Sequence, residues 1–317
     1  MYGDDRQIID WLLRGDVAIQ YQTRRDLLDD DQPKLRARIA SEGWGRRFLE
    51  RRNKAGAWGR GFYQPKWTSS HYTLLDLKSL AITPEQPLIR ESICKIASEP
   101  RSADGGIYPI GRSGMSDICI DGMFLNYACY FGVREDQLRS AVDFILDQRM
   151  EDGGFNCQKN RSGARHSSLH STLSVLEGIM EYDRNGYSYR IEDLLKAAAR
   201  SREFILVHRL FKSDRTGQVI HKDMLRLAFP PRWKYNILRA LDCFQAARMP
   251  WDDRMGDAIA VLKSKRLRDG RWPLQAAHPG AVHFVMEEAG KPSRLNTLAA
   301  LRVLRAYEAA SEQRPGQ

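Results

Sequence analysis

The sequence predicts an all-α fold, an α6/α6 toroid in which six helical hairpins surround a central cavity. The main observation is an internal repeat: His71–Leu77, His170–Leu176 and Leu295–Leu301 share Thr at the third position and Leu at the fourth and seventh. Leucines spaced in this way fall on one face of a helix. Each copy therefore predicts an amphipathic helix with a buried apolar stripe.

Three weaker copies extend the repeat along the chain, and they begin at Tyr21, Asp121 and Tyr235. Successive copies start 50, 50, 49, 65 and 60 residues apart. A unit of this length cannot bury its apolar face alone, so neighbouring units must stack. We therefore predict one closed domain over residues 1–317, with a disordered tail at 309–317.

Each unit is predicted to pair a buried inner helix with a more polar outer helix. The predicted inner helices cover residues 17–28, 67–81, 117–131, 167–181, 233–246 and 293–308. The predicted outer helices include residues 5–14, 87–96, 135–146 and 252–262. With residues 5–14 beside the last inner helix there are six pairs, and six pairs around an axis close a ring.

A glycine turn recurs before the inner helices. Its copies begin at Gly56, Asp104, Asp152 and Asp269, and an aromatic residue follows within each. Glycine after Asp adopts a positive φ at little steric cost. We expect the aromatic side chain to wedge between neighbouring hairpins.

Charge and composition limit the classes of function. The chain carries a formal net charge of +10, but its basic residues are scattered except for one run at 46–54. Such a run is typical of a solvated helix face, so nucleic-acid binding is not predicted. A mean hydropathy of −0.52 argues against a membrane-spanning helix, and the first residues lack a secretion signal. We expect a cytoplasmic protein, while peripheral membrane contact and the oligomeric state stay open.

The turns and helices resemble those of the prenyltransferase and squalene-cyclase repeat family, the α/α toroids. The residues that carry the resemblance are Asp152-Gly-Gly-Phe and Asp269-Gly-Arg-Trp-Pro-Leu-Gln, each followed by an inner helix. It covers nearly the whole chain and is greatest for short single-domain bacterial members. The resemblance implies a hydrophobic, isoprenoid-like substrate in the central cavity and, for an active enzyme, transferase, cyclase or lyase chemistry.

The first positions of the six repeat copies predict a polar ring at the mouth of that cavity. Buried core positions would carry Leu, Val or Phe, yet five of the six side chains are polar. The alternative is that polar residues here cap helices, as Asp117 and Ser167 or Ser168 would. The ring consists of Tyr21, His71, Asp121, His170, Tyr235 and Leu295.

A zinc site is one hypothesis for this ring. Asp117, Cys119 and His170 resemble the Asp-x-Cys and His ligands of zinc-dependent protein prenyltransferases, and such a set leaves a fourth position open. His166 and Cys157 are candidate additional or competing ligands, because His166 and His170 are four residues apart on one predicted helical face. Five cysteines at an odd count favour free thiols or ligands over disulfides. The structural alternative is a buried Cys119, a capping Asp117 and a hydrogen-bonded His170.

A metal-free carboxylate pair is the rival hypothesis. Asp117 and Asp121 are four residues apart on one predicted helix, where two carboxylates can act as acid and base on a glycan. His166, one predicted turn before His170, completes the candidate catalytic residues. The chain lacks the Asp-x-Asp-Asp and Asp-Asp-x-x-Asp motifs, which weakens a cyclisation hypothesis.

Other residues near the predicted mouth are candidates for substrate binding. The long connection at 278–295 is predicted either as a polar lid or as an exposed, salt-bridged loop. Two arginines would suit a phosphate or carboxylate on an anionic-headed substrate. The candidates are His71, Trp67, Tyr235, Arg232, Arg294 and His283.

Three functions are therefore weighed. The first is a zinc-assisted, prenyltransferase-like or cyclase-like protein with a small hydrophobic substrate. Protein farnesylation itself is not expected, because the resemblance implies a second, α-type subunit for it. The second is the metal-free enzyme acting on a glycan, and the third is a non-catalytic toroid that binds a ligand or partner.

Overall fold

The computed structural model describes residues 3–108 and 114–312. The helices are α1 (Gly3–Leu13), α2 (Val17–Leu27), α3 (Pro33–Arg38), α4 (Gly43–Leu49), α5 (Ser70–Ser79), α6 (Pro87–Ala97), α7 (Ile118–Tyr130), α8 (Glu135–Asp147), α9 (Lys159–Ser162), α10 (Leu169–Arg184), α11 (Ile191–Val207), α12 (Ile237–Ala246), α13 (Gly256–Ser264) and α14 (Arg294–Glu312). Within these ranges there are two isolated β-bridges and no longer strand.

The predicted all-α toroid is confirmed. The inner helices are α2, α5, α7, α10, α12 and α14, and α14 packs against both α12 and α2, which closes the ring. α1 packs against α2, next to the closure. α14 continues to Glu312, and residues 313–317 of the predicted tail lie outside the described residues.

Side-chain caps set where the inner helices begin. Asp16 accepts a hydrogen bond from the backbone N–H of Ala18 at 2.9 Å, and Asn236 accepts one from Arg239 at 2.9 Å. These bonds satisfy N–H groups that have no partner inside the helix. α5 begins later than predicted, because a short 3-10 turn at Lys66–Thr68 precedes it.

The glycine turns wedge the hairpins as expected, and they explain the Thr of the repeat. Phe155 and Trp272 are fully buried, and their backbone N–H groups donate to the hydroxyls of Thr172 and Thr297, each at 3.0 Å. The indole of Trp272 also donates to the Leu262 carbonyl at 2.8 Å. Thr at this position thus ties α10 and α14 to the turns before them, whereas in α5 the hydroxyl of Ser70 accepts the bond from the Trp58 N–H at 2.9 Å.

α7 and α10 pack closely through two glycines. A Cβ on Gly122 would lie 2.7 Å from the carbonyl oxygen of Ser174, and one on Gly178 would lie 2.4 Å from that of Gly122. Only glycine permits this approach without moving backbone. The close contact leaves no cavity between these two helices and pushes the open space toward the ring axis.

Candidate functional site

A central cavity of about 1060 Å³ is lined by residues of all six inner helices. Its polar ring lies nine residues after the N-cap of each helix, about two and a half turns in. All six side chains at this position are polar or charged, whereas the leucines of the repeat point into the core. The ring consists of Arg25, Lys78, Asn126, Glu177, Gln245 and Arg302.

This ring is deeper than the predicted one. The first positions of the clear repeat copies lie close to the helix starts, and the weak copies are out of register with them. His71, His170 and Leu295 are equivalent, each two residues after its N-cap. Asp121 instead lies four residues after its N-cap, and Tyr235 lies one residue before. The connections between hairpins differ in length, so a chain period near fifty does not fix which residue faces the axis.

Two ion pairs line the cavity beside the start of α12. Asp76 Oδ2 lies 2.8 Å from Arg232 Nη1, and both side chains are only 6% exposed. Glu177 receives two hydrogen bonds from Arg239, at 2.8 and 2.6 Å, in the fork geometry that suits a carboxylate.

Two charge networks continue the lining toward the helix ends. Lys78 lies 3.0 Å from Glu181 and also donates to Asn126. Arg302 bridges two helices, because it lies 2.9 Å from Asp26 and 2.7 Å from Asp242. These two networks bring polar side chains of all six inner helices to the cavity wall.

The cavity carboxyls differ in pKa. Burial raises the pKa of Asp76, although Arg232 opposes the rise. Burial also disfavours the ionised forms of Asp26 and Glu181, but their basic partners outweigh it, so both pKa values lie below the ordinary range. Asp76 is thus the carboxyl of this group best suited to hold a proton.

The segment 228–232 covers one end of the cavity. Arg232 adopts a positive φ of 58°, and its guanidinium lies 5.7 Å from the ring centre of Trp67 and 5.9 Å from that of Tyr72. This stack, with the Asp76 pair, fixes the covering segment to α5.

The predicted catalytic carboxylates do not share a site facing this cavity. Asp121 is fully buried and receives hydrogen bonds from Ser116 Oγ at 2.5 Å and the Ile107 N–H at 2.8 Å. Burial raises its pKa to about 7. Asp117 is the N-cap residue of α7, and one of its oxygens lies 2.6 Å from Arg161. The structure thus gives Asp121 a role in holding the preceding turn.

The proposed zinc ligands are likewise dispersed. His170 Nδ1 accepts a hydrogen bond from the Tyr235 N–H at 2.8 Å, and burial lowers the pKa of His170 to about 4. Cys119 is buried beside Cys157, whose sulfur lies 3.4 Å from the Cys119 backbone nitrogen. Among the described residues, no three His, Cys, Asp or Glu side chains cluster closely enough to hold a metal ion. The zinc prediction is therefore wrong for the described part of the chain.

Two predicted histidines lie away from the axis. His166 is exposed in the loop before α10, so it does not share a helical face with His170 as predicted. It lines a separate groove beside α11. His71 is fully buried, with Nδ1 3.2 Å from the Tyr127 hydroxyl and no partner for Nε2. Burial lowers the pKa of His71 to about 3.

Of the predicted substrate-binding residues, Arg232 lines the described cavity. Trp67 donates from Nε1 to the Pro279 carbonyl at 2.7 Å, and Tyr235 is buried with an unpartnered hydroxyl. Arg294 lies outside the ring, with its guanidinium 4.3 Å from the ring centre of Trp11.

The connection at 278–295 partly covers the ring rather than standing free as a salt-bridged loop. His283 Nε2 lies 2.8 Å from Thr73 Oγ1, and burial lowers the pKa of His283 to about 4. Glu287 receives hydrogen bonds from Ser293 Oγ at 2.5 Å and the Arg294 N–H at 2.7 Å. The segment is thereby tied to α5 and to the start of α14.

The charged lining has a signal in the sequence, but it lies at the end of each repeat copy and not at its first position. In the three clear copies, the residue directly after the last Leu is Lys78, Glu177 and Arg302. A charge at the same place in each copy, next to a buried Leu, is typical of a helix that faces a polar cavity. The partners of these charges, such as Asp242, carry no such mark.

The comparisons with known proteins agree with the fold. No family model matches the chain, and no curated protein matches it. A structure of a polysaccharide lyase is similar over 99% of this chain and 100% of its own, with 10% identity and a TM-score of 0.54. A structure of a glycosyl hydrolase family 88 protein from Bacteroides vulgatus covers 92% of this chain and 90% of its own, with 13% identity and a TM-score of 0.51. At these identities the similarity shows the α/α toroid fold alone.

These findings correct the family and the substrate expected from the sequence. The structural neighbours are glycan-processing toroids, so the prenyltransferase and squalene-cyclase assignment is wrong, and with it the isoprenoid-like substrate. The glycine–aromatic turns do not identify this family, because their aromatic side chains pack between helical hairpins and any ring of hairpins requires such packing. Within the described residues, no helix combines the length and apolar character needed to cross a bilayer.

Proposed function

We propose that this protein is a glycan-acting enzyme of the lyase or hydrolase kind, with the central cavity as its substrate site. The observation that carries the proposal is the charged and hydrogen-bonding lining drawn from all six inner helices. The similarity of the fold to a polysaccharide lyase and a glycosyl hydrolase supports it. The proposal keeps the sequence-based hypothesis of a metal-free enzyme acting on a glycan, but it places the site in the central cavity and not at Asp117 and Asp121.

A saccharide suits this lining chemically. Sugar hydroxyls both donate and accept hydrogen bonds, and Asn126, Asn236 and Gln245 offer both kinds of group. Tyr130, which is half-buried, adds aromatic surface to the same wall. A few polar groups with some aromatic surface are typical of small-molecule sites.

Asp76 is our candidate for the group that donates a proton to the leaving oxygen. Its raised pKa favours the protonated form that a general acid needs. Arg232, 2.8 Å away, would stabilise the carboxylate left after the transfer. We call Asp76 catalytic only within this proposal.

One observation favours a second candidate, a toroid that binds a glycan without turnover. Every acidic side chain of the described cavity lining lies in an ion pair with Arg or Lys, so none is left as an unpaired base. The six are Asp26, Asp29, Asp76, Glu177, Glu181 and Asp242.

The two candidates separate in one experiment. The purified protein is incubated with neutral and uronate-containing oligosaccharides, and both product release and binding heat are measured. New reducing ends or unsaturated sugars, lost in Asp76→Asn but kept in Asp29→Asn, support the enzyme. Asp29 is a matched control because its pair with Arg305 lies exposed at the cavity edge.

Binding without product by the wild-type protein would favour the second candidate. Neither binding nor product with any saccharide would overturn the proposal. Circular dichroism and a urea titration of each variant separate lost chemistry from lost folding.

We also propose a cytoplasmic location, supported by five free cysteines, which are typical of reducing compartments.

A further inference from the structure

Two cysteines that are 38 residues apart in the chain meet at the start of α7. Cys157, in the turn before α10, places its sulfur 3.4 Å from the backbone nitrogen of Cys119. Cys119 is the second residue of α7, so its N–H is one of the groups without a partner inside the helix. The sulfur therefore occupies the N-terminal end of a 13-residue helix.

Two hydrogen-bonding groups contact the Cys157 sulfur. One is the Cys119 backbone N–H, which donates at 3.4 Å, and the other is Ser171 Oγ, 3.3 Å away. The Cys157 backbone N–H already donates to that hydroxyl oxygen at 3.3 Å, which leaves the hydroxyl proton free to point at the sulfur.

The electrostatics favour a thiolate at Cys157 rather than at Cys119. The hydrogen bond from the Cys119 thiol lowers the pKa of Cys157, against the opposing effects of burial and of Asp117. The same bond, with burial, raises the pKa of Cys119 well above its ordinary value. Thiols at helix N-termini are commonly the reactive ones.

We propose that Cys157 is a peroxide-reactive thiol and that Cys119 resolves it to a reversible intramolecular disulfide. Neither cysteine lines the central cavity, so the proposal goes beyond the proposed function and does not rest on it. The Cys157 sulfur lies 3.4 Å from the Cys119 backbone nitrogen, so the two residues are neighbours in the folded protein.

The chemistry balances with one peroxide per pair. The Cys157 thiolate attacks one peroxide oxygen, the O–O bond breaks, and a sulfenic acid forms. The other oxygen leaves as hydroxide, which takes up the proton released when the Cys157 thiol ionised and becomes water. The Cys119 sulfur then attacks the Cys157 sulfur, the S–O bond breaks, and the leaving hydroxide takes the Cys119 proton as a second water. Two thiols are oxidised by two electrons, and the peroxide is reduced.

The other cysteines provide internal controls. Cys94 is exposed on α6 and has no described thiol neighbour, while Cys129 and Cys243 carry pKa values that burial raises. If exposure alone governed reactivity, Cys94 would react first. If the helix start and its hydrogen bonds govern it, Cys157 reacts first.

The test uses the full-length, reduced protein and hydrogen peroxide. After a short exposure, remaining thiols are alkylated and the digested protein is examined by mass spectrometry. We expect loss of two thiols per chain, a single linked pair of peptides carrying Cys119 and Cys157, and full recovery with a dithiol reductant. The alkylation rate of Cys157 in the untreated protein should also exceed that of Cys94 at neutral pH.

Two variants keep the proposal falsifiable. Cys119→Ser should leave Cys157 as sulfenic acid, trapped by a dimedone-type probe, whereas Cys94→Ser should still form the disulfide. The proposal fails if Cys94 is oxidised before Cys157, or if Cys157 is oxidised while Cys119 stays a free thiol in the wild-type protein. Because serine is nearly isosteric, unchanged circular dichroism of each variant confirms that the comparison is made on folded protein.

Discussion

The buried carboxyl of Asp121 should make the stability of this protein fall as pH rises toward neutrality. Asp121 is fully buried in the described structure, and it receives hydrogen bonds from Ser116 and Ile107 but no salt bridge. Its pKa is raised to about 7, chiefly by burial, from an ordinary value of 3.8. The unfolded chain therefore releases this proton at lower pH than the folded chain does.

The direction and size of the effect follow from linkage. Stabilisation by the protonated Asp121 is complete below about pH 4 and is lost as the pH rises through about 7. The pKa of Asp121 differs by about three between the folded and the unfolded chain, which corresponds to at most about 4 kcal/mol in the free energy of unfolding. Asp121→Asn removes the ionisation, and the amide can still accept from the Ile107 N–H and donate to Ser116.

Urea unfolding of wild type and Asp121→Asn at pH 4.5, 6 and 8 measures this effect. Near pH 4.5 the two proteins should differ by less than about 1 kcal/mol, which is one hydrogen bond's worth. At pH 8 the variant should be the more stable, by up to about 4 kcal/mol. Asp152→Asn is the control, because Asp152 accepts from Ser167 in the next turn but is exposed, where water solvates its charge.

A constant difference between wild type and Asp121→Asn across this pH range would refute the reasoning. It would mean that the Asp121 carboxyl is ionised at no cost in the folded protein. A variant that loses activity without this pH signature would instead favour the catalytic role predicted for Asp121 from the sequence.

Two further predictions concern the packing of the ring. Asp76→Ala leaves the Arg232 side chain, which is 6% exposed, without its ion-pair partner, and it should lower the free energy of unfolding by about 3–5 kcal/mol. Asp29→Ala breaks an exposed pair and should lower it by less than about 1 kcal/mol. A shift of the urea midpoint at unchanged slope measures both effects. Gly122→Ala would place a Cβ 2.7 Å from backbone atoms of α10 and should destabilise the protein by about 1–3 kcal/mol. At Gly256 a Cβ would meet nothing within 4 Å, so Gly256→Ala should stabilise the protein by about 0.4–1 kcal/mol. Equal effects of the two substitutions would contradict the close packing of α7 against α10.

The sequence predicted the helices well because helix formation is governed by local periodicity. The apolar stripes of His71–Leu77 and His170–Leu176 lie on α5 and α10, and the repeat period implied a closed ring. The glycine turns were also predictable, since Gly153 and Gly270 adopt the positive φ that the Asp-Gly pattern indicates.

Family resemblance gave the wrong chemistry. By resemblance, the turn motif at Asp152 and the order of Asp117, Cys119 and His170 predict an isoprenoid-handling zinc protein. In the structure the turn motif secures hairpin packing through Phe155, and His170 caps the backbone before α12. Sequence features that any ring of hairpins needs carry no information about its substrate.

What the sequence determined by itself is the set of helices, their inner or outer placement and the closing of the ring, because each depends on residues close together in the chain. Which polar side chains face the axis was decided by the tertiary structure alone. Asp76 meets Arg232 across 156 residues and Lys78 meets Glu181 across 103, and no local pattern encodes such pairs. The loops between hairpins differ in length, so the rotation of each helix about its axis is fixed only when neighbouring hairpins pack.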